Sequence, residues 1–175
     1  MQIIEDFRIL AQKDVIKIFK MTVLSKSNRP LEEEVIFSQG LANKSYSIST
    51  ESIHVTVWPE FLDSKSSMIG DLFVWAYHVR IDNDGTDSVQ LLSRYWRIID
   101  EKGIVQEVNG EGVVGERPVI ASGGSYKYSS GVHLRYPSGI MMGKYSMKKI
   151  TDSDAFEVTI PNFSLDVPSI KNIVN

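Results

Sequence analysis

Cysteine is absent from the 175-residue chain. That excludes a disulfide framework, iron–sulfur clusters, thiolate zinc sites and a cysteine nucleophile. It also fits a reducing compartment, so a cytoplasmic location is expected. Apolar runs long enough to cross a bilayer as a helix are lacking, so no membrane partner is expected. Neither sign of charge dominates: 19 Lys and Arg stand against 22 Asp and Glu, a net charge of −3. Bulk charge therefore gives no reason to expect a nucleic-acid binder. No repeat with a solenoid-like period is visible. What remains is 42% apolar and 23% charged residues, ordinary for one globular domain with a substantial core.

The first residues do not read as a targeting signal, because Glu5, Asp6 and Asp14 interrupt any apolar stretch. Ile4, Phe7, Ala11, Val15 and Ile18 recur at steps of three and four. That spacing predicts an amphipathic helix over 3–20, packed on its own domain or on a second copy of the chain. Residues 25–30 read as a linker and Glu32-Glu33-Glu34 as a solvated charge run.

From Tyr46 the period changes to two. Ile53, Val55 and Val57 alternate with His54, Thr56 and Trp58, as in a half-buried strand. Phe73, Trp75, Tyr77, Val79 and Ile81 repeat the pattern, with Trp75, Tyr77 and Trp96 as candidate core aromatics. Turn clusters at Asp82-Asn83-Asp84-Gly85, Asp100-Glu101-Lys102-Gly103 and Pro137-Ser138-Gly139 separate further strands over 89–99, 104–108, 126–134, 140–149 and 156–160. A short alternation, Phe163-Leu165-Val167, closes the series. Pro59, Pro118, Pro137, Pro161 and Pro168 are expected at strand ends or in loops. The fold class is therefore all-β, an antiparallel sandwich or barrel.

Nine of the twelve glycines lie between Gly103 and Gly143. The densest piece, Gly110-Glu111-Gly112-Val113-Val114-Gly115, spells the dinucleotide-binding fingerprint letter for letter. The fingerprint also needs a helix after it and an acid about 20 residues on. Arg117-Pro118 and Ser122-Gly123-Gly124 follow instead, and residues 117–151 contain no acid. A Rossmann site is excluded on that ground. Two readings stay open. One is a β-loop that needs glycine for its backbone. The other is a nest of backbone N–H groups that holds an anion at Gly110, Gly112, Gly115 and Arg117.

These residues also carry a family resemblance. Leu91-Leu92-Ser93-Arg94-Tyr95-Trp96-Arg97-Ile98 leads into Glu107-Val108-Asn109-Gly110-Glu111-Gly112-Val113-Val114-Gly115. Tyr128-Ser129-Ser130-Gly131, Met142-Gly143-Lys144-Tyr145-Ser146-Met147 and Phe163-Ser164-Leu165-Asp166-Val167-Pro168 follow in order. The series resembles the ApaG family over about residues 46–171. The resemblance implies an immunoglobulin- or fibronectin-type-III-like β-sandwich. It also implies an association with cobalt and magnesium efflux, and no established enzymatic activity. In eukaryotic relatives the domain is appended to F-box and polymerase-interacting proteins, which implies a protein-binding module. Two departures are visible. Ser122-Gly123 stands where Pro-Gly is usual, and residues 1–45 have no counterpart in the short members. The expected organisation is thus an extension over 1–45, the sandwich over 46–171 and a tail over 172–175.

Metal and catalytic chemistry find little purchase. His54, His78 and His133 show none of the usual ligand spacings. Counted from Asp82, the calcium-loop positions that need Gly and Glu hold Asp87 and Ser93. Ser129, Ser130 and His133 suggest a hydrolase, but no G-x-S-x-G elbow is present. Asp100 and Glu101 are expected to be solvated in their turn. Neither a catalytic residue, a metal site nor a cofactor is assigned.

Charge is segregated along the chain. Arg117, Lys127, Arg135, Lys144, Lys148 and Lys149 occupy the acid-free stretch 117–151, whereas the remainder holds 13 bases and 22 acids. The bases either mix in space with acids from other strands or form one basic face. The leading expectation is a non-catalytic module that binds a protein partner, with a homodimer as one form of assembly. An anion sensor for nucleotide or pyrophosphate at 110–117 is the alternative, and an unrecognised hydrolase the third.

Overall fold

The two-residue period becomes a strand almost everywhere it occurs. A computed structural model of the protein describes residues 44–152 and 154–168. The helix expected over 3–20, the linker at 25–30 and the tail at 172–175 lie outside these residues. The strands are β1 (Tyr46–Thr50), β2 (Ile53–Phe61), β3 (Phe73–Asn83), β4 (Val89–Asp100), β5 (Val105–Glu111), β6 (Val119–Ile120), β7 (Ser125–Leu134), β8 (Gly139–Lys149) and β9 (Ala155–Ser164). They form a sheet ordered β1-β2-β3-β7 and a second ordered β5-β4-β8-β9, with β6 pairing the start of β4. Every pairing is antiparallel. Two packed sheets whose chain crosses between them at β3–β4, β6–β7 and β7–β8 make a fibronectin-type-III-like β-sandwich, as expected.

The inner faces supply the core. Phe73, Trp75, Tyr77, Val79 and Ile81 of β3 alternate into it against Ile53, Val55 and Val57 of β2. The opposing sheet contributes Trp96 and Ile98 of β4, Met141, Tyr145 and Met147 of β8, and Val158, Ile160 and Phe163 of β9. An aromatic cluster joins the layers: Trp96 meets Tyr77 at 5.3 Å between ring centroids and Phe163 at 6.0 Å, edge to face in both cases. Such rings bury large apolar areas and prefer this geometry. At one end of the sandwich the buried Asn83 side chain donates to the carbonyls of Asp87, Ile120 and Ala121 and accepts from Gly85 N. The turn cluster after β3 thereby fixes β6 beside β4.

The two flanks of the sandwich differ. Along one flank β1 and β9 pack together, with Tyr46 and Ser164 hydroxyls bonded at 2.7 Å and Thr159 N donating to Thr50 Oγ1. Along the other run β5 and β7, each paired with one strand only among the described residues.

Four expectations are corrected. Pro59 lies inside β2, opposite Tyr77, but beyond Val57, where pairing with β1 ends; one edge of β2 is open there. Pro161 lies inside β9 at a register slip, because Gly143 faces Ile160 while Met141 faces Phe163. A missing N–H is tolerated at an open edge or an irregularity. The last alternation is not a separate strand: Phe163 belongs to β9, which ends at Ser164, and Leu165 and Val167 donate to the carbonyls of Gly139 and Pro137. Asp100 is buried rather than solvated, because its carboxylate accepts from the N–H groups of Lys102 and Ile104, both at 2.9 Å.

Candidate functional site

The glycine loop sits at the end of the sandwich where β4 begins. Val113 and Glu116 exchange both backbone hydrogen bonds, closing a two-residue hairpin across Val114 and Gly115. Their φ values of 51° and 84° are the left-handed pair of a type I′ turn. Gly112 also has positive φ, 56°, and donates to Leu92 O. A Cβ on Gly112 would lie 1.9 Å from Glu116 O. Gly110 lies inside β5 opposite Arg94, and Glu111 opposite Ser93 ends the pairing of β5 with β4. The N–H groups of Gly112, Val113 and Glu116 are thus engaged inside the loop. Arg117 pairs with Glu111 at 2.7 Å on the surface, and Tyr126 donates to Glu116. Two carboxylates therefore stand beside the four residues singled out as an anion site.

The six bases of 117–151 spread over the molecule. Lys127 lies on β7, whereas Lys144, Lys148 and Lys149 lie on β8 of the other sheet. Arg117 precedes β6 at one end, and Arg135 follows β7 at the opposite end. Lys144 pairs with Glu157 and Lys149 with Asp87. The segregation along the chain becomes mixing in space, since strands distant in sequence are neighbours in the sheets.

Two arrangements were not anticipated. The first is Arg94. Leu91 and Trp96 both point inward although they differ in parity, because the β4–β8 register shifts between Leu91 and Ser93. The shift puts Arg94 in phase with Trp96 and Ile98, facing the space between the sheets. Its guanidinium lies against Gly110, where a Cβ would stand 2.8 Å from Nη1, and donates to the carbonyls of Glu111 and Gly112. No carboxylate pairs with it among the described residues. Arg94, Trp96, Tyr77, Val108 and Ser130 line a crevice on the open flank, with about 20 Å³ of space, room for roughly one water molecule. Small-molecule pockets are typically about 300–1,000 Å³. Burial drives the Tyr77, Tyr128 and Tyr145 hydroxyls above their usual pKa, and the Arg94 charge partly opposes it. The signal in the sequence was the parity break between Leu91 and Trp96.

The second is a chain of three side chains. His78, 2% exposed, bonds Ser129 Oγ through Nδ1 at 2.6 Å and Glu60 through Nε2 at 3.0 Å. Ser129 is therefore linked to His78, its register partner on β3, and not to His133. Both Ser129 and Ser130 lie within the β7 ladder rather than on a strand-to-helix elbow, so the arrangement reads as cross-strand support. Among the described residues, no three His, Asp or Glu side chains converge as metal ligands.

The sheets, their order and their aromatic core define a fibronectin-type-III-like β-sandwich of small, single-layer-pair type. The family model described as the ApaG domain matches residues 63–149. Protein ApaG of Rhodospirillum centenum is 54% identical over 124 residues, covering 70% of this chain and 94% of that protein. Protein ApaG of Brucella suis biovar 1 is 50% identical over 130 residues, covering 74% of this chain and 99% of that protein. A crystal structure described as that of an ApaA protein from Bordetella pertussis superposes with a TM-score of 0.65 at 39% identity, covering 67% of this chain and 94% of the other. The chain belongs to the ApaG family.

Proposed function

We propose that the protein is a non-catalytic binding module that engages a protein partner in the cytoplasm. Any link to cobalt and magnesium homeostasis then runs through that partner. The observation that carries the reading is the asymmetry of the sandwich. One flank is sealed by β1 and β9, while β5 and β7 border the other over a crevice with space for little more than a water. A rigid scaffold with open strand edges is suited to recognising chains, and too little space is enclosed to surround a substrate.

The test is affinity capture with the tagged full-length chain after mild crosslinking, run beside two solution assays. The expected result is a partner held in fixed ratio, no turnover on phosphatase and esterase substrates, and no pyrophosphate binding at low salt. Turnover that disappears in Ser129→Ala would replace the module with a hydrolase built on Glu60, His78 and Ser129. Pyrophosphate binding that disappears in Arg117→Ala would favour the anion loop of Gly110, Gly112, Gly115 and Arg117.

A further inference from the structure

The open flank has a chemical character of its own. Its interior crevice is lined by Arg94, Tyr77, Trp96 and Ser130 among apolar side chains and by no carboxylate. Arg94 donates from one nitrogen, Nη1, to two carbonyls and has no ion pair among the described residues. Trp96 also lines the crevice, but its indole N–H is fully buried and does not open onto the space. The Ser130 hydroxyl is already bonded to Tyr77, which leaves Arg94 as the donor without a charged partner. A charged donor left in low dielectric is costly unless an acceptor meets it. Arg94 therefore calls for an acceptor group, and a carboxylate is the best match for a guanidinium.

The strands that border the crevice differ in charge. β5 carries Glu107 and Glu111. Residues 125–135, comprising β7 and the residue after it, carry Lys127, His133 and Arg135 and no acid of their own, with Glu116 bonded to Tyr126 at one end. Among the described residues β7 pairs only β3, and the pairing covers its whole length. A strand added to the outer edge of β7 would run along the basic border, and every second side chain would point between the sheets. An acidic side chain at one such position would enter the crevice beside Arg94 and displace the water that fits there.

We propose that this flank binds an extended acidic segment of a partner protein, added as a strand to β7 with one carboxylate seated on Arg94. The inference rests on the binding-module reading and names its surface and its partner chemistry.

The probe is a fluorescein-labelled decapeptide of alternating valine and glutamate, compared with its glutamine counterpart by fluorescence polarisation on the full-length chain. The glutamate peptide is expected to bind at least about tenfold tighter, because truncating one member of a desolvated charge pair leaves the other unpaired. Arg94→Met should remove that discrimination, and Arg94→Lys should restore part of it. Hydrogen exchange should slow on binding at amides of 125–134. The two peptides on the wild-type chain keep the test valid if Arg94→Met fails to fold. Equal binding of both peptides, protection confined to β5 or β9, or no binding at about 1 mM would overturn the proposal. Capture of the same partner by the wild type and a folded Arg94 variant would also overturn it, while leaving the binding-module reading intact.

Discussion

Gly112 is the residue with the least freedom in the loop. Its φ of 56° lies where only glycine enters without penalty, and its missing Cβ leaves room for the Glu116 carbonyl. Val114 tolerates a similar φ because its side chain packs on the core and the hairpin is closed by two hydrogen bonds. Gly112→Val has no such outlet. The backbone conformation alone should cost about 1–3 kcal/mol, and the overlap with backbone at 1.9 Å adds to it. The expected outcome is a urea midpoint lowered by the upper end of that range or more. A midpoint within error of the wild type would show that the loop rearranges freely. The need for glycine was legible in the sequence, since the fingerprint lacked its helix and acid. Arg94 was not, because its inward direction depends on a one-residue register shift that exchanges the faces of β4. His78 with Ser129 was hidden for another reason: β3 pairs β7 across three intervening strands, and such a partnership leaves no local mark.

Strand β3 is the element on which the sandwich is built. It is central in its sheet, between β2 and β7, and Phe73 through Val79 are buried whichever face they point to. Alternation therefore announced the strand, while the burial of Val74, Ala76 and His78 on the outward face was not readable from it. Trp75 packs against Phe61 at 5.0 Å and is 4% exposed, so Trp75→Ala should cost about 3–5 kcal/mol by chemical denaturation. A loss below about 1 kcal/mol would mean that neighbouring side chains collapse into the space. The extension makes the opposite prediction. About 130 residues of this chain account for 99% of Protein ApaG from Brucella suis biovar 1. That relative therefore does without a counterpart of about a quarter of this chain, and residues 1–20 are expected to belong to that quarter. Deleting 1–20 should leave the strand-rich far-UV spectrum and the melting temperature nearly unchanged. Insolubility together with a large fall in melting temperature would instead make the segment part of the core.

The molecule as a whole is held as two sheets whose contact includes buried tyrosine hydroxyls. Tyr77 and Tyr128 belong to one sheet and Tyr145 to the other, and the Tyr128 and Tyr145 hydroxyls bond across the interface. Burial raises all three pKa values above the ordinary 10.0. In the unfolded chain the same groups titrate near 10. The folded state therefore holds protons that the unfolded state releases as the pH rises past 10. Stability from these groups is fully present below about pH 10 and is lost above it, at up to about 1.4 kcal/mol per pH unit for each tyrosine. Because the hydroxyls bridge the layers, alkaline unfolding should separate the sheets rather than fray an edge. Urea midpoints at pH 8, 10 and 11 should fall steeply over the last interval in the wild type. A Tyr128→Phe, Tyr145→Phe double variant should start lower at pH 8, having lost the inter-sheet hydrogen bond, but decline less above pH 10. That difference in slope separates the tyrosines from lysines, which lose their charge in the same range in both proteins. Parallel profiles for the two proteins would show that the buried hydroxyls do not set the alkaline limit of the fold.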